Sequence, residues 1–134
     1  MVLHNLWRTD FIDIFYATDE QWLHVTWKGY QSVDSVKQGC ERMLEFLIQT
    51  SAHKVLNDNT RVLGTWAGAA SWGATDWFPR LQQAGMRWFA WVSSPSLFSQ
   101  VSIETTLAQM DADSFGIQVF PDVAAATAWL RQCP

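Results

Sequence analysis

Charge is the first thing this sequence has little of. Of 134 residues, nine are Lys or Arg and thirteen are Asp or Glu, 16% in all, for a formal net charge of −4. The basic residues form no tract, so nucleic-acid binding is disfavoured: a phosphate backbone needs a clustered positive face. Cysteine is scarcer still. Cys40 and Cys133 make neither a CxxC pair nor a disulfide framework, and a reducing, cytoplasmic setting is the expectation. No apolar run approaches the ~20 residues of a membrane-spanning helix. Residues 1–8 lack the basic and apolar regions of a secretory leader. Zinc-type His and Cys spacings are missing, and so are a G-x-S-x-G elbow and a Walker A loop. Gly64-Thr65-Trp66-Ala67-Gly68 has no lysine for a phosphate. Neither a metal nor a cofactor is expected.

Apolar residues are plentiful, at 49%. A chain of this length buries roughly two-thirds of its unfolded surface, enough for one core without staples. With no linker or repeat, residues 1–134 read as a single domain, the first nine as a loose extension. Residues 11–16 and 22–27 alternate like two strands joined by a short turn, an antiparallel hairpin. Leu23, Val25 and Trp27 are expected to face the core, with Trp22, His24 and Thr26 on the more polar side. From Ser32 the period changes to that of a helix: Val33, Val36, Cys40, Met43, Leu44 and Leu47 fall at helical spacing, and Ser32 suits its N-cap. Val55-Leu56 reads as a short strand ending in the turn formers Asn57-Asp58-Asn59-Thr60. Residues 66–84 are helical, with a kink or fresh start near Asp76 because of Pro79. Residues 86–92 make a central strand. A helix is expected from Ser102, a strand over 115–120, and a last helix capped by Asp122. The order β-β-α-β-α-β-α-β-α predicts an α/β fold with one mixed sheet, an N-terminal hairpin and later parallel strands.

Nine tryptophans are the other excess. Trp27, Trp88, Trp91 and Trp129 sit inside apolar elements and read as core. Trp66, Trp72 and Trp77 lie among glycines, alanines and serine, so they are candidates to line a pocket or a self-association surface. Ligands of open α/β sheets sit beyond the carboxyl ends of the parallel strands. That adds Asp58, Asn59, Thr60, Arg61, Ser93 and Ser94 to the candidate ligand-binding set. Enzyme chemistry has thin support: Cys40 falls on an apolar stripe, and His4, His24 and His53 have no partner by spacing.

Several strings resemble the SpoIIAA-like branch of the STAS superfamily, small bacterial proteins often labelled STAS/SEC14-like. They are Trp27-Lys28-Gly29-Tyr30, Leu56-Asn57-Asp58-Asn59, Trp77-Phe78-Pro79-Arg80 with Ala84-Gly85, and Ala128-Trp129-Leu130. The resemblance implies the same fold order over most of the chain and a regulatory or ligand-binding role. In anti-sigma-factor antagonists of this kind, a serine opening the helix after the central strand is phosphorylated. Thr60 is the corresponding hydroxyl here, but Asp58-Asn59-Thr60-Arg61 departs from the Asp-Ser-Ser-Gly pattern, and phosphorylation is expected to be absent. The SEC14 likeness implies a hydrophobic ligand.

The expected function is therefore a non-enzymatic STAS-like module acting through a regulatory protein partner, a homodimer contact or a small apolar ligand. The alternative is a small hydrolase or isomerase built around Asp58, Thr60 and Asp76.

Overall fold

In the computed structural model, which describes residues 1–134, three strands precede the first helix: β1 (Leu3–Arg8), β2 (Ile12–Ala17) and β3 (Trp22–Tyr30). The first nine residues are thus not a loose extension. Leu3 to Arg8 pairs antiparallel with β2, with a bulge between Asn5 and Trp7. Trp7 sits edge-on to Phe11 at 6.0 Å, and the Arg42 guanidinium lies 4.7 Å from the Trp7 ring centre. An edge strand needs only one neighbour, so weak alternation is enough to place it.

The chain then alternates through α1 (Val33–Thr50), β4 (Lys54–Leu63), a helical run over 67–83, β5 (Trp88–Val92), α4 (Leu97–Leu107), β6 (Ile117–Phe120) and α5 (Val123–Gln132). The run over 67–83 opens as a 3₁₀ turn (Ala67–Ala69) and continues as α2 (Ala70–Trp72). It then widens into a π turn (Gly73–Trp77) and closes as α3 (Phe78–Gln83). All six strands lie side by side in chain order, antiparallel from β1 to β3 and parallel from β3 to β6. The mixed α/β sheet is as the sequence implies, with one more strand at its start. None of the helices is long and apolar enough to cross a membrane.

Every parallel step moves the same way across the sheet, so right-handed crossovers put α1, the 67–83 run and α4 on one face. That front core joins Ile14, Val25, Val55 and Phe89 to Met43, Leu47, Trp77 and Phe78. The last helix, α5, takes the back face, where Ala126 and Leu130 cover Trp22, Leu56, Ala90 and Phe120. Trp22, expected on a more polar face, is fully buried for this reason. Helix α1 starts at a reciprocal cap: the Ser32 hydroxyl accepts from the Ser35 N–H at 3.0 Å, and the Ser35 hydroxyl accepts from the Ser32 N–H at 2.9 Å. It crosses β3 at Gly39, where a Cβ would run into the Trp27 ring. Asp122 caps α5 by accepting from the Ala125 N–H at 2.8 Å.

Two expectations fail for physical reasons that bear on the site. Asn57-Asp58-Asn59-Thr60 is not a turn but the middle of β4, with Asn57 opposite Val25 on one side and Trp91 on the other. Asn and Asp favour turns because their side chains satisfy nearby backbone. Here Asn57 and Asn59 find buried partners instead, and the preference lapses. Helix α4 begins at Leu97 rather than Ser102, because its polarity is reversed. Ser99, Ser102 and Thr106 are buried with Ile103, while Leu97, Phe98 and Val101 are 73%, 69% and 53% exposed. The Ser102 hydroxyl accepts from the Trp66 N–H at 3.0 Å and donates to the Phe98 carbonyl at 3.1 Å.

On the back of β3, burial lowers the pKa of His24, and the Asp58 charge offsets this only in part. The unfolded chain therefore binds the proton more readily than the native one. The stability tied to the neutral imidazole is complete above the ordinary value of 6.5 and is lost as pH falls toward the lowered native value. Thermal unfolding should show a lower midpoint at about pH 5.5 than at about pH 7.5. His24→Gln should flatten that difference without removing the further loss below about pH 4.5, where carboxylates titrate.

Candidate functional site

A cavity lies on the front face, between the sheet and the helices that cross it. Its floor is Trp27 of β3, Asn57, Asn59 and Val62 of β4, and Phe89 and Trp91 of β5. The sides come from Gln31 just before α1, Val36 and Cys40 of α1, Thr106 of α4, Trp66, and Ala69, Trp72, Gly73, Trp77 and Phe78 of the helical run. The enclosed space is about 50 Å³, against roughly 150 Å³ for an engineered cavity that holds benzene. Only a few atoms fit inside the walls as they stand.

The two asparagines inside β4 are held by the indole opposite. Trp27 Nε1–H donates to Asn57 Oδ1 at 2.9 Å, and Asn57 Nδ2 donates to Asn59 Oδ1 at 3.2 Å. Buried amides persist only when paired in this way. Trp77 Nε1–H donates to the Cys40 carbonyl at 2.8 Å, tying the helical run to α1. Trp66 stacks on Trp91 with ring centres 5.8 Å apart and planes 23° apart, and its Nε1–H reaches the Ser99 hydroxyl at 3.4 Å. In a regular α-helix, residues five apart point in different directions. The wider i→i+5 turn over Gly73–Trp77 brings Trp72 and Trp77 to the same cavity. Pro79, at the start of α3 and without an N–H, makes that change of register inexpensive.

Trp66 and Trp72 are the half-buried members, and Trp72 has the Lys37 ammonium 5.5 Å and the Arg80 guanidinium 5.9 Å from its ring centre. Arg80 is already committed to Glu41 and Asp76. Its hydrogen bonds hold the Glu41 carboxyl below the usual range. Burial, helped by the Glu41 charge, pushes the Cys40 thiol well above its ordinary value, so it stays a neutral thiol and not a nucleophile. No group of three or more His, Cys, Asp or Glu side chains is placed to hold a metal ion.

Of the residues expected to bind a ligand, Asn59, Trp66, Trp72 and Trp77 meet at this cavity, while Asp58, Thr60, Arg61, Ser93 and Ser94 do not. Strand alternation turns Asp58 away from Asn57 and Asn59. Its Oδ1 accepts the N–H and the hydroxyl of Thr60 at 2.9 and 2.5 Å. Thr60 is exposed within β4 and does not open a helix. Ser94 is structural: its hydroxyl donates to the Val62 carbonyl at 2.6 Å and accepts from the Ser96 N–H at 3.0 Å. Asp76 pairs with Arg80 on the helical side, so Asp58 and Asp76 lie on opposite faces of the sheet. Asn57, Trp27 and Trp91 are among the lining residues that sequence reasoning missed. The signal for Asn57 was the period of two, which continues from Val55 through Asn57 to Asn59. The chain matches no protein-family model and no curated protein, so the cavity's own walls are what speak for its role.

Proposed function

We propose that this chain is a non-catalytic binding module that takes a small, mainly apolar ligand in the front cavity. The observation that carries this is a ring of five indoles, Trp27, Trp66, Trp72, Trp77 and Trp91, around a space with an open mouth. Apolar walls with a few fixed polar groups are what small-molecule sites have in common. The hairpin followed by parallel strand–helix units also supports kinship with SpoIIAA-like, STAS/SEC14-like domains. The test is a thermal-shift screen with small aromatic compounds on the native protein and on Trp72→Ala. A ligand at a hundred times its dissociation constant should stabilise the native protein by about 2.7 kcal/mol. Trp72→Ala should lose that response while keeping a cooperative transition, since a half-buried ring contributes less to the core than a fully buried one. A screen with no hits, or an unchanged response in Trp72→Ala, would count against the cavity.

A second reading, self-association as a homodimer, has its own observation. Helix α4 turns Leu97, Phe98 and Val101 to solvent, with Tyr30 of β3 and its ladder partner Leu63 also exposed at the carboxyl end of the sheet. Segment 62–66 is bonded to segment 94–102, which places both groups at that end. An exposed apolar patch fits a second copy of itself. Light scattering should give twice the 15.3 kDa chain mass, and Phe98→Glu should return the mass to that of one chain. A native protein that scatters as one chain at every concentration would end this reading.

A further inference from the structure

Apart from its indoles, the cavity takes polar side chains from Gln31, Asn57, Asn59 and Thr106. The protein itself satisfies nearly all of their nitrogen and oxygen atoms. Gln31 donates to the Phe11 and Lys28 carbonyls at 3.1 and 3.0 Å and accepts from the Ser35 hydroxyl at 2.8 Å. Thr106 donates to the Ser102 carbonyl at 2.9 Å. Asn57 is paired through both its atoms, and Asn59 Oδ1 is one of its partners. Asn59 Nδ2 is the exception. It donates to no protein group, although Asn59 is only 5% exposed. Nor is it shut in: the Trp91 Nε1–H is sealed within the packing, whereas the Asn59 nitrogen is not, and Asn59 lines the cavity.

The pairing with Asn57 does not require an amide at position 59. A hydroxyl or carboxyl oxygen could accept from Asn57 as well, and only the amide adds two N–H bonds that the chain leaves unused. A buried donor in that state calls for an acceptor from outside the chain. The walls restrict what that acceptor can be. No Asp, Glu, Lys or Arg lines the cavity, and burial keeps the Cys40 thiol neutral. A carboxylate or ammonium would lose its water there and meet no countercharge. The enclosed space of about 50 Å³ is about a third of what holds the six carbons of benzene, so it takes about two or three heavy atoms.

We propose that the cavity binds a neutral molecule of about two or three heavy atoms, whose lone-pair atom accepts from Asn59 Nδ2 and whose apolar remainder lies against the indoles. Short alcohols, aldehydes and nitriles form this class. The inference rests on the binding role proposed above and specifies its ligand.

Acetonitrile and propyne test it, because the two are linear and alike in size and only the nitrile ends in a lone pair. In ¹⁵N-labelled protein, acetonitrile should move the Asn59 side-chain amide signal downfield and saturably. Propyne should move cavity indole signals without doing so. Asn59→Asp at about pH 8 keeps an oxygen for Asn57 and replaces the free donor with a carboxylate oxygen. It should weaken acetonitrile about fivefold or more, the effect of one net hydrogen bond, and propyne by less than about twofold. If that variant does not fold, the Asn59 signal of the native protein decides the point by itself. An Asn59 signal that acetonitrile leaves in place while the indole signals move would overturn the ligand class and leave the binding role standing. Equal losses for both probes in Asn59→Asp would do the same. If neither probe moves any cavity signal, this inference falls, and the thermal-shift screen judges the binding role separately.

Discussion

Gly116→Ala is expected to destabilise the protein by at least ~3 kcal/mol and to lower its thermal midpoint by ~10 °C or more. Gly116 has φ +64°, where an L side chain is strained. A Cβ there would overlap the carbonyl oxygen of Arg87 and press on the Trp88 ring at 3.3 Å. A flexible side chain could move aside, but a carbonyl between two strands cannot. The Gly116 carbonyl itself accepts the Phe89 N–H at 2.9 Å and sets the start of the β5–β6 ladder, so backing away breaks that bond. Gly73→Ala is the matched comparison. Gly73 is helical, with φ −58° and open space where its Cβ would go, and alanine there should be neutral or stabilising by up to ~1 kcal/mol. Chemical denaturation of the two variants side by side checks the contrast. Equal stabilities would mean that β6 is not docked as described.

Trp77→Ala should cost ~3–5 kcal/mol, more than the effect at the half-buried Trp72 five residues earlier. Trp77 is 4% exposed, sits 4.7 Å from Phe78 and 6.2 Å from Phe89 between ring centres, and is bonded to the Cys40 carbonyl. Removing it opens a void beside Cys40. The informative second measurement is therefore thiol labelling in native buffer: Cys40, buried in the native protein, should become reactive in the variant. A small loss of stability with no labelling would show that the neighbouring rings close the gap.

What the sequence disclosed was whatever depends on near neighbours. Ser32 and Asp122 announce α1 and α5 because a cap bonds to a backbone N–H three residues on. Helix α1 adds an apolar stripe that ends in the buried Met43 and Leu47. What it concealed depends on distant partners. Asn57 is a strand residue because Trp27, thirty positions earlier, donates to it. Helix α4 hides its first turn because its apolar side faces solvent, inverting the rule by which amphipathic helices are read. The candidate site was half legible for the same reason. The small residues around Trp66, Trp72 and Trp77 marked the wall, while the floor was attributed to core and turn. Trp91 does belong to the core, and it lines the cavity as well, which no pattern of letters displays.

The sheet's order has a consequence for how the chain comes into being. Because β1 to β6 stand in the sequence in which they are synthesised, each strand after the first finds its neighbour already made. No gap has to be held open for a strand still on the ribosome. Every closure spans a single connection, the kind of local topology that shortens the search for the native state. The growing edge is the only unpaired one at the advancing front, and each crossover helix arrives just before the strand that will seal it. Assembly can thus proceed from the N-terminal hairpin outward, with α5 the last piece to be laid down, closing the back of a sheet that is already complete.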